Sequence, residues 1–192
     1  MKSFAYTKEQ GEVRRPVSVK TGGFAMWKKI DPKQMEQNVF SLIGEQWMLV
    51  TAGTQERCNT MTASWGGLGV LWNKPVATAY VRPQRYTREF LDAHEYFTLS
   101  FFGEEYRKQL ALCGSKSGRE LDKVKECGFT VLTGEGNAPY FEEAELVLVC
   151  RKHFVQQMDP ANIPEEIRES VYLQQDYHYI YIGEIMEALV KE

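Results

Sequence analysis

Three short segments of this sequence combine polar and apolar side chains in patterns that could bind a planar or charged ligand. The first is residues 59–67, NTMTASWGG, in which amide and hydroxyl groups stand beside Met61 and Trp65. A planar cofactor with polar edges needs apolar walls for its faces and hydrogen-bonding groups for its rim. A barrel strand with one solvated face has the same composition, so this segment alone leaves both interpretations open.

The second and third segments could bind an anion. Residues 82–87, RPQRYT, lie at the start of a predicted helix, and the guanidinium groups of Arg82 and Arg85 match the geometry of phosphate oxygens. Residues 113–119, CGSKSGR, are small and flexible and carry Lys116 between two hydroxyls. The alternatives are a surface turn with solvated arginines and a plain loop between two helices.

Standard nucleotide-binding and catalytic motifs do not occur in the sequence. The run 66–69, GGLG, starts like a dinucleotide fingerprint, but Trp72 stands where the third glycine belongs. The run 114–118, GSKSG, lacks the Gly-Lys-Ser/Thr ending of a P-loop, and no Gly-x-Ser-x-Gly nucleophile elbow is present. The four cysteines form no Cys-x-x-Cys pair and the three histidines are scattered, so we expect reduced thiols and no metal site.

Size and charge restrict the class of protein further. The 192 residues suit one domain with a sizeable core, and the net charge of −3 argues against a nucleic-acid partner. No apolar run is long enough to span a membrane, and the first residues lack the apolar core of a signal peptide. We therefore expect a cytoplasmic protein that does not associate with membranes.

The chain alternates short β-prone runs with helical patterns. The strands are predicted at residues 47–51, 60–65, 76–81, 96–102, 129–132, 145–154 and 177–189. Helices are predicted at 31–43, 86–94, 104–112, 119–127 and 163–173, with Asp31 and Thr87 as caps and Gly128 as a terminator. No βαβ unit repeats, which favours a mainly β fold, an antiparallel barrel with inserted helices. We divide the chain into an N-terminal arm at 1–30, with one short strand, and a single domain at 31–192.

The order of these segments resembles the flavin reductase-like family, and within it the flavoredoxin-like proteins. The resemblance rests on NTMTASW at 59–65, VRPQRYT at 81–87 and YFTLSFF at 96–102. It continues with GSKSGR at 114–119, with Asp122 and Lys123, and with the ending YHYIYIGEI at 177–185. It covers about residues 30–190.

The resemblance implies an FMN-binding split β-barrel of the antiparallel Greek-key type, which forms homodimers with the flavin at the interface. On the isoalloxazine ring and ribityl chain it places Asn59, Met61, Thr62, Ala63 and Ser64. On the ribityl and phosphate groups it places Arg82, Gln84, Arg85, Tyr86 and Thr87, and on the phosphate side or ring rim it places Cys113, Ser115, Lys116 and Ser117. His178 would lie near the flavin face where a nicotinamide approaches; a barrel-closing histidine that bonds a neighbour is the alternative.

Two functions follow from the resemblance. The first is an FMN-dependent oxidoreductase that passes electrons from NAD(P)H, or from a reduced protein, to an acceptor. The second is a flavoredoxin-like carrier with no NAD(P)H activity of its own, whose partner is another redox protein. The sequence Asp176-Tyr177-His178, where many reductases of the family have Gly-Asp-His, favours the carrier. A flavin-free barrel used only for interaction is a third alternative.

Overall fold

The computed structural model describes residues 26–192, which form two antiparallel sheets with short helices between their strands. The larger sheet has eight strands and the smaller sheet has two. The strands are β1 (Trp27–Ile30), β2 (Met48–Gly53), β3 (Cys58–Ala63), β4 (Gly66–Leu71), β5 (Lys74–Val81), β6 (Tyr96–Phe101), β7 (Val131–Thr133), β8 (Pro139–Phe141), β9 (Leu146–Gln157) and β10 (Tyr179–Lys191).

The helices are short and lie in the connections. The α-helices are α1 (Thr87–Ala93), α2 (Arg107–Ser115), α3 (Lys123–Cys127) and α4 (Glu165–Val171). Single turns of 3₁₀-helix occur at Pro32–Gln34, Glu104–Tyr106, Glu135–Asn137 and Pro160–Asn162, and one turn of π-helix at Ser41–Glu45. Among residues 26–192, no helix combines the length and the apolar character needed to cross a membrane.

The larger sheet is open. Its strand order is β3-β2-β6-β9-β10-β5-β4, and the end strands β3 and β4 are not hydrogen-bonded to each other. The long strand β10 pairs with β9 on one side, and on its other side first with β5 and then with β1. The predicted fold class, mainly β with inserted helices in a split barrel, is confirmed.

Both faces of the sheet are covered, because successive residues of a strand point to opposite sides. On β9, Leu146 and Leu148 belong to one buried cluster, while Val147 and Val149 belong to the other. The first cluster includes residues of α1, and the second includes residues of α2 and β8. Burial of apolar surface on both sides explains why these strands read as continuous apolar runs.

Two helix predictions were wrong in extent. Residues 31–43 form a 3₁₀ turn and the start of a π turn, because the Asn38 side chain accepts from the N–H of Phe40 (3.0 Å) and so begins a new turn. The helix predicted at 119–127 begins only at Lys123, because the Asp122 side chain accepts from the N–H of Lys125 at 3.1 Å. Gly128 ends this helix with φ 68°, as predicted.

Other predictions differ at the ends of elements. Thr87 is the first residue of α1 and gives the helix no side-chain cap, since its hydroxyl accepts a bond from Asn59. Strand β4 was not predicted. The helix predicted at 163–173 is confirmed as α4. The short strand expected in the arm corresponds to β1, the rest of the arm lies outside the described residues, and the division at residue 30 stays a prediction.

Candidate functional site

The ladder between β5 and β10 brings the two ends of the predicted site together. Val81 of β5 pairs with Tyr179 of β10. Arg82 directly follows Val81 and His178 directly precedes Tyr179, so these two residues lie beside each other at the same edge of the ladder. Strand β3 and the residues after it supply the facing side. A cavity of about 170 Å³ between them is lined by Met61, Thr62, Ala63, Ser64, Trp65, Tyr80, Arg82, Arg85 and His178. We call it the ring-side cavity.

A second cavity adjoins the first. Its volume is about 390 Å³, and its lining residues come from β3, the start of α1, the loop after α2 and α3. They are Met61, Arg82, Gln84, Arg85, Tyr86, Thr87, Gly114, Ser115, Lys116, Ser117, Gly118 and Lys123. We call it the cation-lined cavity. The two cavities share the lining residues Met61, Arg82 and Arg85 and therefore adjoin each other; we call them together the cleft. Their combined volume lies in the range of about 300–1,000 Å³ that ligand sites occupy.

Two predicted site residues line neither cavity. Asn59 is buried, donates to the Thr87 hydroxyl at 2.7 Å, and borders a neighbouring cavity of about 420 Å³. Cys113 is fully buried in the second core cluster, with its Sγ 3.7 Å from that of Cys127. Burial raises the pKa of the Cys113 thiol, so this group is protonated and packs as an apolar side chain.

The cation-lined cavity contains positive charge without matching carboxylates. Arg85, Lys116 and Lys123 form no ion pair with any acidic group among residues 26–192. The Arg85 guanidinium donates to the carbonyl of Gly114 at 2.5 Å, and Lys123 donates to the carbonyls of Thr60 and Cys113. The pKa of Arg85 is lowered mainly by its burial and, to a smaller extent, by the positive charge of Arg82. A bound anion would relieve this repulsion.

Arg82 and Gln84 have a different environment, because both are bound by Asp176. One Asp176 carboxylate oxygen accepts from the Arg82 guanidinium, and also from the Gln84 amide at 2.8 Å. Arg82 donates in addition to the carbonyl of Val171 at 3.2 Å. The charge of Arg82 is therefore partly neutralised within the protein, and the segment before β10 is fastened to the end of β5.

His178 is a buried neutral imidazole at the edge of the ring-side cavity. It is 5% exposed, its Nδ1 lies 2.9 Å from the hydroxyl of Tyr172, and its ring centroid is 5.1 Å from that of Trp65. Burial, together with the positive charge of Arg82, lowers the pKa of His178 to about 4. At neutral pH this side chain is therefore a hydrogen-bonding group without charge.

The lowered pKa of His178 predicts a specific pH dependence of stability. Because the folded pKa is below the unfolded value of about 6.5, the folded state favours the neutral ring. This stabilisation is complete above pH 6.5 and is lost as the pH falls towards 4. We expect the stability of the wild type to fall between pH 7 and pH 4.5 by about 1–3 kcal/mol more than that of His178→Gln. Urea unfolding at both pH values measures this difference, and equal pH slopes would contradict it.

The sequence did not reveal several residues that the structure adds to the site. Trp65 directly follows the predicted residue Ser64. Tyr80 lies two residues before Arg82, so the alternation of a strand could have placed both on one face. Asp176 and Tyr172 reach the site only because the segment between β9 and β10 folds back over it. No spacing in the sequence links Asp176 to Arg82 or Tyr172 to His178. Among residues 26–192 no group of three potential metal ligands occurs, and the four cysteines are free.

Comparison with known proteins identifies the family. The profile of the flavin reductase like domain matches residues 40–192. A search of curated proteins found no match. Among solved structures, the chain is similar to a flavoredoxin from Methanosarcina acetivorans, at 26% identity and a TM-score of 0.62, over 77% of this chain and 69% of that one.

Two further structures share the fold. An FMN-binding domain of a flavin reductases-like enzyme from Shewanella baltica is 21% identical, with a TM-score of 0.62, over 86% of this chain and 78% of that one. An NADH:FAD oxidoreductase from Streptomyces globisporus is 20% identical, with a TM-score of 0.58, over 77% and 78% of the two chains. The chain therefore belongs to the flavin reductase-like family, whose fold supports a flavin-binding redox function.

Proposed function

We propose that this protein binds FMN across the cleft, with the phosphate in the cation-lined cavity and the isoalloxazine ring in the ring-side cavity. The observation that carries this proposal is the presence of Arg85, Lys116 and Lys123 beside a cavity bordered by apolar and hydroxyl groups. A phosphate monoester carries nearly two negative charges at neutral pH and would balance these cations. The donor set therefore fits the phosphate of the cofactor.

On the phosphate side, the loop after α2 supplies most of the proposed contacts. Lys116 and the Ser117 hydroxyl can donate to phosphate oxygens, and Arg85 approaches from the start of α1. The Ser115 hydroxyl borders the cavity but donates its proton to the carbonyl of Ala111 at 2.9 Å. Lys123 contributes mainly its charge, because two of its three N–H groups already bind carbonyl oxygens. Arg82 and Gln84 are occupied by Asp176, so we assign them to the ribityl region and to the shape of the cleft.

On the ring side, the presence of both hydroxyl-bearing and apolar side chains beside the cavity supports the proposal. Met61 and Ala63 are buried, whereas Thr62 and Ser64 are half-buried and carry hydroxyls. Because Nδ1 of neutral His178 contacts Tyr172, the ring can form one further hydrogen bond there through Nε2, without placing a charge beside the flavin ring. When bound, FMN supplies a ring that accepts and releases electrons, while the protein supplies position and electrostatics.

We propose an oxidoreductase that passes electrons from NAD(P)H, or from a reduced protein, through FMN to an acceptor. A flavoredoxin-like carrier with no NAD(P)H activity is the second candidate. The carrier is favoured by Asp176-Tyr177, which stand where many reductases of the family have Gly-Asp. Asp176 binds Arg82, and the Tyr177 ring packs against the Tyr172 ring with 4.9 Å between their centres. The similarity to a flavoredoxin also supports it.

We further propose a homodimer, as the family resemblance implies. An apolar cleft of about 650 Å³ adjoins the ring-side cavity and includes Phe40, which is 88% exposed, and Trp65, which is 47% exposed. Exposed apolar surface of this kind is typical of interaction sites. A monomeric mass in solution at micromolar concentration would contradict the dimer.

The absorbance spectrum of the purified protein, followed by anaerobic addition of NADH or NADPH, tests the function. Flavin bands that bleach on addition would support the NAD(P)H-dependent oxidoreductase. Flavin bands that persist would favour the carrier. A colourless protein that fails to bind added FMN would contradict both. The Arg85→Ala variant is the control, since its weaker FMN binding would connect the bands to the cleft.

A further inference from the structure

The segment between β9 and β10 places a tyrosine hydroxyl on the imidazole of His178. Tyr172, at the end of α4, points its hydroxyl at His178 Nδ1 across 2.9 Å and at the Met158 sulfur across 3.5 Å. Tyr172 and His178 are each only 5% exposed. Water therefore competes weakly for either group, and these contacts determine where the protons lie.

One hydroxyl carries one proton, so only one of these two contacts can receive it. A thioether sulfur is a weak acceptor and lies further away, whereas an unprotonated imidazole nitrogen is a good acceptor at normal distance. Burial raises the pKa of Tyr172, so its hydroxyl keeps the proton at neutral pH. In the other possible network, Nδ1–H donates to the Tyr172 oxygen and the hydroxyl donates to Met158, so that network relies on the weak sulfur acceptor. A hydroxyl that donates to Nδ1 makes the stronger bond, and a neutral ring that accepts at Nδ1 carries its own hydrogen on Nε2.

We propose that Tyr172 is a positioning residue that holds His178 as a neutral Nε2–H donor facing the ring-side cavity. His178 Nε2 has no hydrogen-bond partner among residues 26–192, and the ring lines that cavity. The ligand atom that this donor recognises must be a hydrogen-bond acceptor, such as a carbonyl oxygen or an unprotonated ring nitrogen. The identity of that ligand as FMN rests on the proposed function; the state of the imidazole does not.

Other contacts keep the tyrosine in place. The Arg82 guanidinium lies 5.5 Å from the centre of the Tyr172 ring, and Tyr177 packs on the same ring at 4.9 Å. Because Arg82 also bonds the carbonyl of Val171, the backbone beside Tyr172 is fastened to the end of β5. The hydroxyl thus meets His178 from a fixed direction, and this restricts the orientation of the imidazole as well as its proton.

Nitrogen NMR of protein labelled with ¹⁵N-histidine measures the proton position directly, with or without flavin. The His178 signals are assigned by their loss in His178→Gln. We expect Nδ1 to be unprotonated and hydrogen-bonded, and Nε2 to be protonated. In Tyr172→Phe, the Nδ1 signal should move to the position of an unprotonated nitrogen without a hydrogen bond. In the control Met158→Leu, which removes only the alternative acceptor, the Nδ1 signal should keep its wild-type position.

A proton on Nδ1 in the wild type would overturn the proposal, even if no variant folds. An Nδ1 signal that is identical in Tyr172→Phe and wild type would overturn it too. In flavin-loaded protein, we expect Tyr172→Phe to slow flavin reduction about 3- to 10-fold, less than loss of a proton donor itself costs. The FMN dissociation constant should change less than about twofold, because the phosphate contacts remain. Unbound flavin with the expected NMR signals would contradict the proposed function alone.

Discussion

Replacing Arg82 and Arg85 together by alanine is expected to raise the dissociation constant of FMN about 100-fold or more. Each hydrogen bond to a charged group contributes about 1.5–3 kcal/mol, and 1.4 kcal/mol corresponds to a tenfold change in affinity. The variant loses both guanidinium groups that the ring-side and cation-lined cavities share. Quenching of flavin fluorescence during titration measures the affinity.

The single variants separate the two arginines. Most of the loss should come with Arg85→Ala, because Arg85 has no acidic partner within residues 26–192, whereas Arg82 is paired with Asp176. Arg57→Ala is the matched control: this arginine is exposed, lies over the Phe90 ring at 5.7 Å, and borders neither cavity. If the double variant binds FMN as tightly as the wild type, the phosphate lies elsewhere.

Gly183→Ala is expected to lower the free energy of unfolding by about 1–3 kcal/mol, as other overpacked core positions do. A methyl group at Gly183 would lie 2.7 Å from Cε1 of Phe97 and 2.9 Å from Cβ of Cys150, and both residues are fully buried. Cys150 belongs to the adjacent strand β9 and Phe97 to the next strand β6, so neither can move aside without disturbing the sheet. Urea unfolding followed by circular dichroism measures the change.

The matched control for this variant is Gly67→Ala in β4. No atom lies within 4 Å of the position that a methyl group would take at Gly67, and both glycines are in strands. We expect Gly67→Ala to change the stability by less than about 0.5 kcal/mol. Equal destabilisation by the two substitutions would show that backbone effects, and not crowding, decide the outcome.

The strands that are buried on both faces were predictable, since a short apolar run rich in aromatic and β-branched residues is typical of a buried strand. The run around Phe97 and Leu99 combines aromatic and β-branched residues and became the buried strand β6. Strand β4 was not predictable in the same way, because it contains three glycines and no clear alternation. Its turn places Trp72 and Asn73 at φ 51° and 59°, a hairpin geometry that usually shows glycine or asparagine at both positions. Because Trp72 occupies the first of these positions, the sequence does not indicate a hairpin turn.

The candidate site was predictable where it follows contiguous runs and not where it depends on distant contacts. The predicted runs 61–64 and 115–117 border the cleft. The sequence indicates Lys123 only as part of a motif, since nothing in it shows that this lysine points inward to the carbonyls of Thr60 and Cys113. Asp176 could not be paired with Arg82 before the register of β10 against β5 was known.

The pairing of Val81 with Tyr179 sets the separation of Arg82 and His178 by the spacing of two hydrogen-bonded strands, and not by the path of any loop. Insertions or deletions between β9 and β10 can therefore accumulate without changing that separation. Such changes would alter the residues of this segment that contact His178, among them Tyr172. In this architecture the sheet holds the inner geometry of the site, while the segment between β9 and β10 can change the outer contacts of His178 independently.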